Sequence, residues 1–193
     1  MPSTPISLRA VSALIDTLRP LDDRELAARH AALRARLAAA IAALPLDAVD
    51  PADPDPYRGH QPVGAPLVAA ARVAISSETV EGLALAALAA ERTLGYAPHP
   101  NQIETALALL AGKVVDLATG EGKTLAAALA ASLLAAAGRG VHVATANSYL
   151  ARRDAEWMGP LYTLLGLTVA PLLGRRESVE RRAAYAADIS YAT

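Results

Sequence analysis

Lys113 to Ala137 constrains the fold more tightly than any other stretch of the chain. The run Lys113-Val114-Val115-Asp116-Leu117-Ala118 reads as a short buried strand, and Gly122 to Ala137 as a helix ended by Gly138. They meet in the turn Thr119-Gly120-Glu121-Gly122-Lys123-Thr124. So abrupt a passage from strand to helix belongs to folds whose helices lie on a sheet. The alternation then repeats, with strands expected at Val141 to Ala146, Leu167 to Leu172 and Asp188 to Thr193. Helices are expected between them, at Ser148 to Trp157 and Arg175 to Ala186. This spacing predicts an α/β domain: a parallel sheet with helices on both faces.

Upstream the pattern is helical. In Leu8 to Leu44, Asp22 and Asp23 can cap a helix whose apolar residues Leu26, Leu33, Leu37, Ile41 and Leu44 recur at helical steps. Arg24, Arg29, Arg34 and Arg36 lie among them. They suit either a basic face for lipid or a partner, or a solvated face with packed aliphatic stems, and the near-neutral chain favours the second. Pro45, Pro51, Pro54, Pro56, Pro62 and Pro66 then break any helix. A second helix is expected from Ser77 to Thr93, closed by Gly95. The expected division is a helical extension over 1–44, a proline-rich linker over 45–76 and a partial α/β domain over 77–193.

Composition narrows the function classes. With 53% hydrophobic residues in 193, the chain can bury a core, and with 4% aromatics and no Phe that core is aliphatic. A net charge of −1 supplies no general field for nucleic acid. Zero cysteines exclude disulfides and thiolate metal sites, and the four histidines show no metal-ligand spacing. Met1 to Ala10 does not read as a secretory signal, and the most apolar window, Leu125 to Ala137, is too short for a bilayer core of about 30 Å. A soluble, cytoplasmic protein is expected.

The glycine turn carries the chemistry. Glycines let the backbone approach an anion closely, and the amides that follow, at a helix N-terminus, point at it. Lys123 offers a positive charge to the outer phosphates of a nucleotide, and the Thr124 hydroxyl is placed to ligate Mg²⁺. These two are the candidate catalytic residues, and Thr119, Gly120, Glu121, Gly122, Lys123 and Thr124 the candidate ATP-binding set. The strict pattern also asks for glycine where Leu117 stands.

Several segments together resemble the first nucleotide-binding domain of SecA, the motor ATPase of bacterial protein export. They are Arg92-Thr93-Leu94-Gly95, Gln102, Ala118 to Leu125, Val141 to Met158, and Tyr185 to Thr193. Leu14 to Leu37 resembles the family's N-terminal helix more weakly. The resemblance implies a P-loop, helicase-like fold in which Gln102 contacts adenine, Gly120 to Lys123 hold phosphates and Thr124 binds Mg²⁺. Asn147, Tyr149, Arg152, Arg153 and Asp154 match a motif that in such motors couples nucleotide state to the rest of the machine. Pro98, His99 and Pro100 stand where the family has aromatic or basic residues, leaving Tyr96 or His99 to stack on the base. With the proline-rich segment, this suggests a divergent or accessory member.

The implied activity is export of unfolded preproteins through the Sec channel of the inner membrane, driven by ATP hydrolysis, with the protein peripheral to the cytoplasmic membrane face. Acidic phospholipids and a second copy of the chain are further candidate partners; nucleic acid is not expected. No Walker B acidic pair is found, so the sequence reads as truncated, and the isolated chain is expected to be inactive and to bind nucleotide poorly. Two other readings remain: a DEAD-type RNA helicase fragment, and a non-hydrolysing nucleotide-binding module. The unusual Asn147-Ser148-Tyr149-Leu150 argues against the helicase.

Overall fold

A computed structural model describes residues 7–42, 77–138, 140–173 and 178–193. Helix α1 (Leu8–Leu18) opens on Ser7, whose hydroxyl accepts the Ala10 N–H. Helix α2 (Asp23–Ala42) opens on a reciprocal cap: Asp22 accepts the Glu25 N–H at 2.8 Å, and Glu25 accepts the Asp22 N–H at 2.7 Å. Leu26, Leu33 and Leu37 are buried along one face, as their spacing predicts. Leu44 and the proline-rich segment 45–76 lie outside the described residues.

Helix α3 (Ser77–Leu94) is the hub. Gly82 through Ala90 are all buried, and a helix apolar on every side belongs at the centre of its packing partners. Three of the four arginines of α2 pair with carboxylates of this hub or beside the sheet. Arg29 and Arg36 both pair with Glu81, and Arg34 pairs with Asp188 at 2.9 Å. Arg92 returns the contact by pairing with Asp23.

Helix α4 (Pro100–Leu110) is an element that hydrophobic period alone does not announce. Its start is nonetheless well formed, with Pro100 at the first helical position, where its missing N–H costs nothing. The segment after it corrects an expectation. Lys113 to Ala118 has no regular secondary structure and is not a strand. Val114 is fully exposed, while Val115 and Leu117 are half-buried. A strand's backbone groups bond only to a neighbour, and among the described residues no strand runs beside this one.

Helix α5 (Lys123–Ala136), strand β1 (Val141–Ala144), helix α6 (Ser148–Leu164), strand β2 (Val169–Pro171), helix α7 (Ser178–Tyr185) and strand β3 (Ile189–Ala192) complete the alternation. Helix α6 runs past its expected end at Trp157 and through Pro160, which is exposed. The strands are parallel in the order β1-β3-β2, with Val141 and Val169 both opposite Ile189.

Helices cover both sheet faces. On one, Tyr191 of β3 meets Tyr162 of α6, their hydroxyls 2.7 Å apart and both side chains buried. On the other, Ser190 donates to the Ala184 carbonyl of α7, and His142 packs edge-on against Tyr185. Asp188, just before β3, accepts hydrogen bonds from the Thr168 N–H and hydroxyl and from Arg34. Burial would raise its pKa, but these bonds and the arginine charge outweigh it and hold the carboxyl below its usual range. His30 of α2 is buried beside it with Nδ1 unpartnered, and burial pushes its pKa down to about 4. Among the described residues, no helix is long and apolar enough to cross a membrane.

Candidate nucleotide site

Gly120 and Gly122 both take left-handed backbone, at φ 92° and 78°, so the expected glycine turn is present. Gly122 is the N-cap of α5 and, having no side chain, leaves the first amides of that helix uncapped. By contrast α1, α2 and α6 are capped by the side chains of Ser7, Asp22 and Asn147. An uncapped N-terminus behind two glycines leaves donors for an external anion.

Lys123 is exposed, and its ammonium donates to the Ala118 carbonyl at 2.9 Å. The same carbonyl accepts the Glu121 N–H at 3.3 Å. A neutral acceptor holds a lysine less strongly than a phosphate oxygen does. Thr124 is half-buried in the first helical turn, and Thr119 is exposed where the loop begins.

Gln102 comes to this loop from α4. Only 6% exposed, it accepts the His99 N–H at 2.9 Å and donates to the Glu121 carbonyl at 3.3 Å. A Cβ on Gly122 would lie 1.9 Å from the Gln102 amide nitrogen. The glutamine thus braces the loop, and its amide keeps one hydrogen and one lone pair for another partner.

A cavity of about 480 Å³ lies here, lined by His99, Pro100, Asn101, Gln102, Gly120 and Glu121. His99 therefore faces the cavity, whereas Tyr96, the other stacking candidate, is not in its lining. Thr119, Gly122, Lys123 and Thr124 lie outside that lining, on the loop and its helix. Asn101 is a residue that the sequence did not single out. Its amide donates to the Glu121 carboxylate at 2.9 Å.

The segment after β1 forms a separate feature. Asn147 caps α6 by accepting the Leu150 N–H at 2.9 Å, and Arg153 pairs with its neighbour Asp154 at 2.6 Å. Tyr149 and Arg152 are exposed.

A family model of the SecA DEAD-like domain matches residues 4–193. The chain belongs to the SecA DEAD-like domain family. Its similarity to curated proteins is strong over part of its length. Protein translocase subunit SecA 3 of Mycolicibacterium vanbaalenii is 54% identical over 121 residues, 63% of this chain and 15% of that protein. Protein translocase subunit SecA of Mycobacterium avium is 54% identical over 121 residues, 63% of this chain and 16% of that protein. Protein translocase subunit SecA 2 of Mycolicibacterium smegmatis is 55% identical over 118 residues, 61% of this chain and 15% of that protein. This SecA DEAD-like domain chain therefore matches only a small part of the length of each relative.

Proposed function

We propose that this chain binds ATP at the loop Thr119 to Thr124 and serves as the nucleotide-binding part of a SecA-type motor. Such a motor couples ATP hydrolysis to the passage of unfolded preproteins through the Sec channel, working from the cytoplasmic side of the membrane. The observation that carries the nucleotide reading is the open N-terminus of α5: Gly122 caps it without a side chain, and Lys123 follows directly. Gln102, braced against the same loop, accounts for a preference for adenine, since its remaining donor and acceptor suit that base's edge. Mg²⁺ arriving with the nucleotide would neutralise phosphate charge, and the Thr124 hydroxyl suits it as a ligand. Lys123 would leave the Ala118 carbonyl for the outer phosphates.

Asn147 to Asp154 then has a mechanical role in this reading. The exposed Tyr149 and Arg152 stand on a helix fixed by its Asn147 cap, a rigid surface for passing nucleotide state onward. Acidic lipid is the weaker partner: three of the four arginines of α2 already hold carboxylates of this chain.

Equilibrium titration with ATP, GTP, ADP and AMP, with and without Mg²⁺, tests the reading. ATP should bind more tightly than GTP and AMP, and Lys123→Ala should weaken ATP by roughly tenfold or more while leaving the melting temperature in place. The proposal fails if no nucleotide binds at millimolar concentration, or if the Lys123 variant binds ATP as the parent chain does.

A further inference from the structure

We propose that Asn101 is a positioning residue: it ties the Glu121 carboxylate to helix α4, so that a loop carrying its own negative charge can still accept a triphosphate. This rests on the nucleotide reading above and concerns the same site.

Glu121 stands between the two loop glycines and two residues before Lys123. A carboxylate there has the same sign as the ligand, and like charges in a shared site oppose each other's presence. Its backbone is fixed, with the N–H on Ala118 and the carbonyl accepting from Gln102. The side chain is exposed, and among the described residues its one bond is from the Asn101 amide, at 2.9 Å. Asn101 therefore governs the one part of Glu121 that is otherwise free to swing toward the phosphates.

The other end of the Asn101 amide strengthens the case. Its Oδ1 is buried and accepts no hydrogen bond. Turning the amide over would set Oδ1 against a carboxylate oxygen, acceptor against acceptor, so the nitrogen faces Glu121. An orphaned buried acceptor destabilises a fold. Stability alone thus gives no reason for this side chain, whereas holding Glu121 does. The tie between α4 and the loop backbone is made independently by Gln102, so Asn101 is not needed to dock the loop.

The test is nucleotide binding, followed to millimolar concentration, by the whole chain, by Asn101→Val and by Asn101→Val/Glu121→Gln. Asn101→Val should weaken ATP by about tenfold, weaken ADP less and leave adenosine unchanged, because the released charge acts on phosphates. Adding Glu121→Gln should restore ATP affinity, which it would not do if Asn101 merely supported the fold. Asn101→Ser, too short to reach Glu121 and well suited to a helix start, replaces Asn101→Val should the latter fail to fold. If the parent chain binds ATP but the Asn101 variant matches it, or the second substitution does not rescue it, the positioning role is overturned alone. If the parent chain binds no nucleotide, the phosphate reading falls and this inference falls with it.

Discussion

Gly122→Ala is the substitution whose cost follows most directly from the geometry. Two separate penalties meet at this residue. The backbone sits at φ 78°, where an L side chain costs about 1–2 kcal/mol. The new Cβ would also stand 1.9 Å from the Gln102 amide nitrogen, so the glutamine must leave. That breaks its bonds to the His99 N–H and the Glu121 carbonyl, at about 0.5–1.5 kcal/mol each. The sum is about 2–5 kcal/mol, or a fall in melting temperature of roughly 5–15 °C for a chain of this size. Gly138, at the far end of the same helix, supplies the control: its φ is 77°, and nothing lies within 4 Å of its would-be Cβ. Gly138→Ala should therefore show the backbone penalty alone. Denaturant unfolding of both variants measures the difference. A double-mutant cycle with Gln102→Ala isolates the collision, because Gly122→Ala in that background should cost no more than Gly138→Ala. Equal destabilisation by the two glycine variants in the parent chain would refute the idea that Gln102 is seated on the loop.

Three further outcomes are expected from the packing of α2 and the sheet. His30 is buried as the neutral imidazole, its pKa lowered from 6.5 to about 4, so as pH falls the unfolded chain takes up the proton first. Stability should drop by up to about 3 kcal/mol between the unfolded and folded pKa values, a slope that His30→Leu flattens in unfolding curves taken against pH. Asp188 shares the sign of this linkage in a lower window: its folded pKa lies below its ordinary 3.8, so its contribution is intact above that value and is lost only at lower pH. Asp188→Ala, which also strips the bonds from Thr168, should cost about 2–4 kcal/mol in unfolding free energy, against about 1–2 for Arg34→Met. Tyr162→Phe should cost about 1–3 kcal/mol by leaving the buried Tyr191 hydroxyl unpaired, and adding Tyr191→Phe should recover most of it.

What the sequence made legible, and what it hid, divides along a physical line. Features decided by one residue and its near neighbours were readable. The reciprocal cap at Asp22, the left-handed glycines at 120 and 122, and the period that buries Leu26, Leu33 and Leu37 depend on local backbone and side-chain chemistry. Features that need a distant partner were not. Val114 to Ala118 has the composition of a strand, yet a strand exists only where another supplies its hydrogen bonds, and periodicity carries no information about that neighbour. The bond from Asn101 to Glu121 spans twenty residues, and nothing in either side chain announces the other. Gln102 shows both sides of the division. Its place three residues past His99 makes it a local cap for α4, whereas its seat beside Gly122 comes from the packing of α4 on the loop. That second contact changes what the glycine means. At the sequence level Gly122 is needed for a turn that lets phosphate approach; in the fold it must also leave room for the glutamine. The loop's shape and its link to α4 thus depend on a single missing methyl group, and a substitution there should disturb both together.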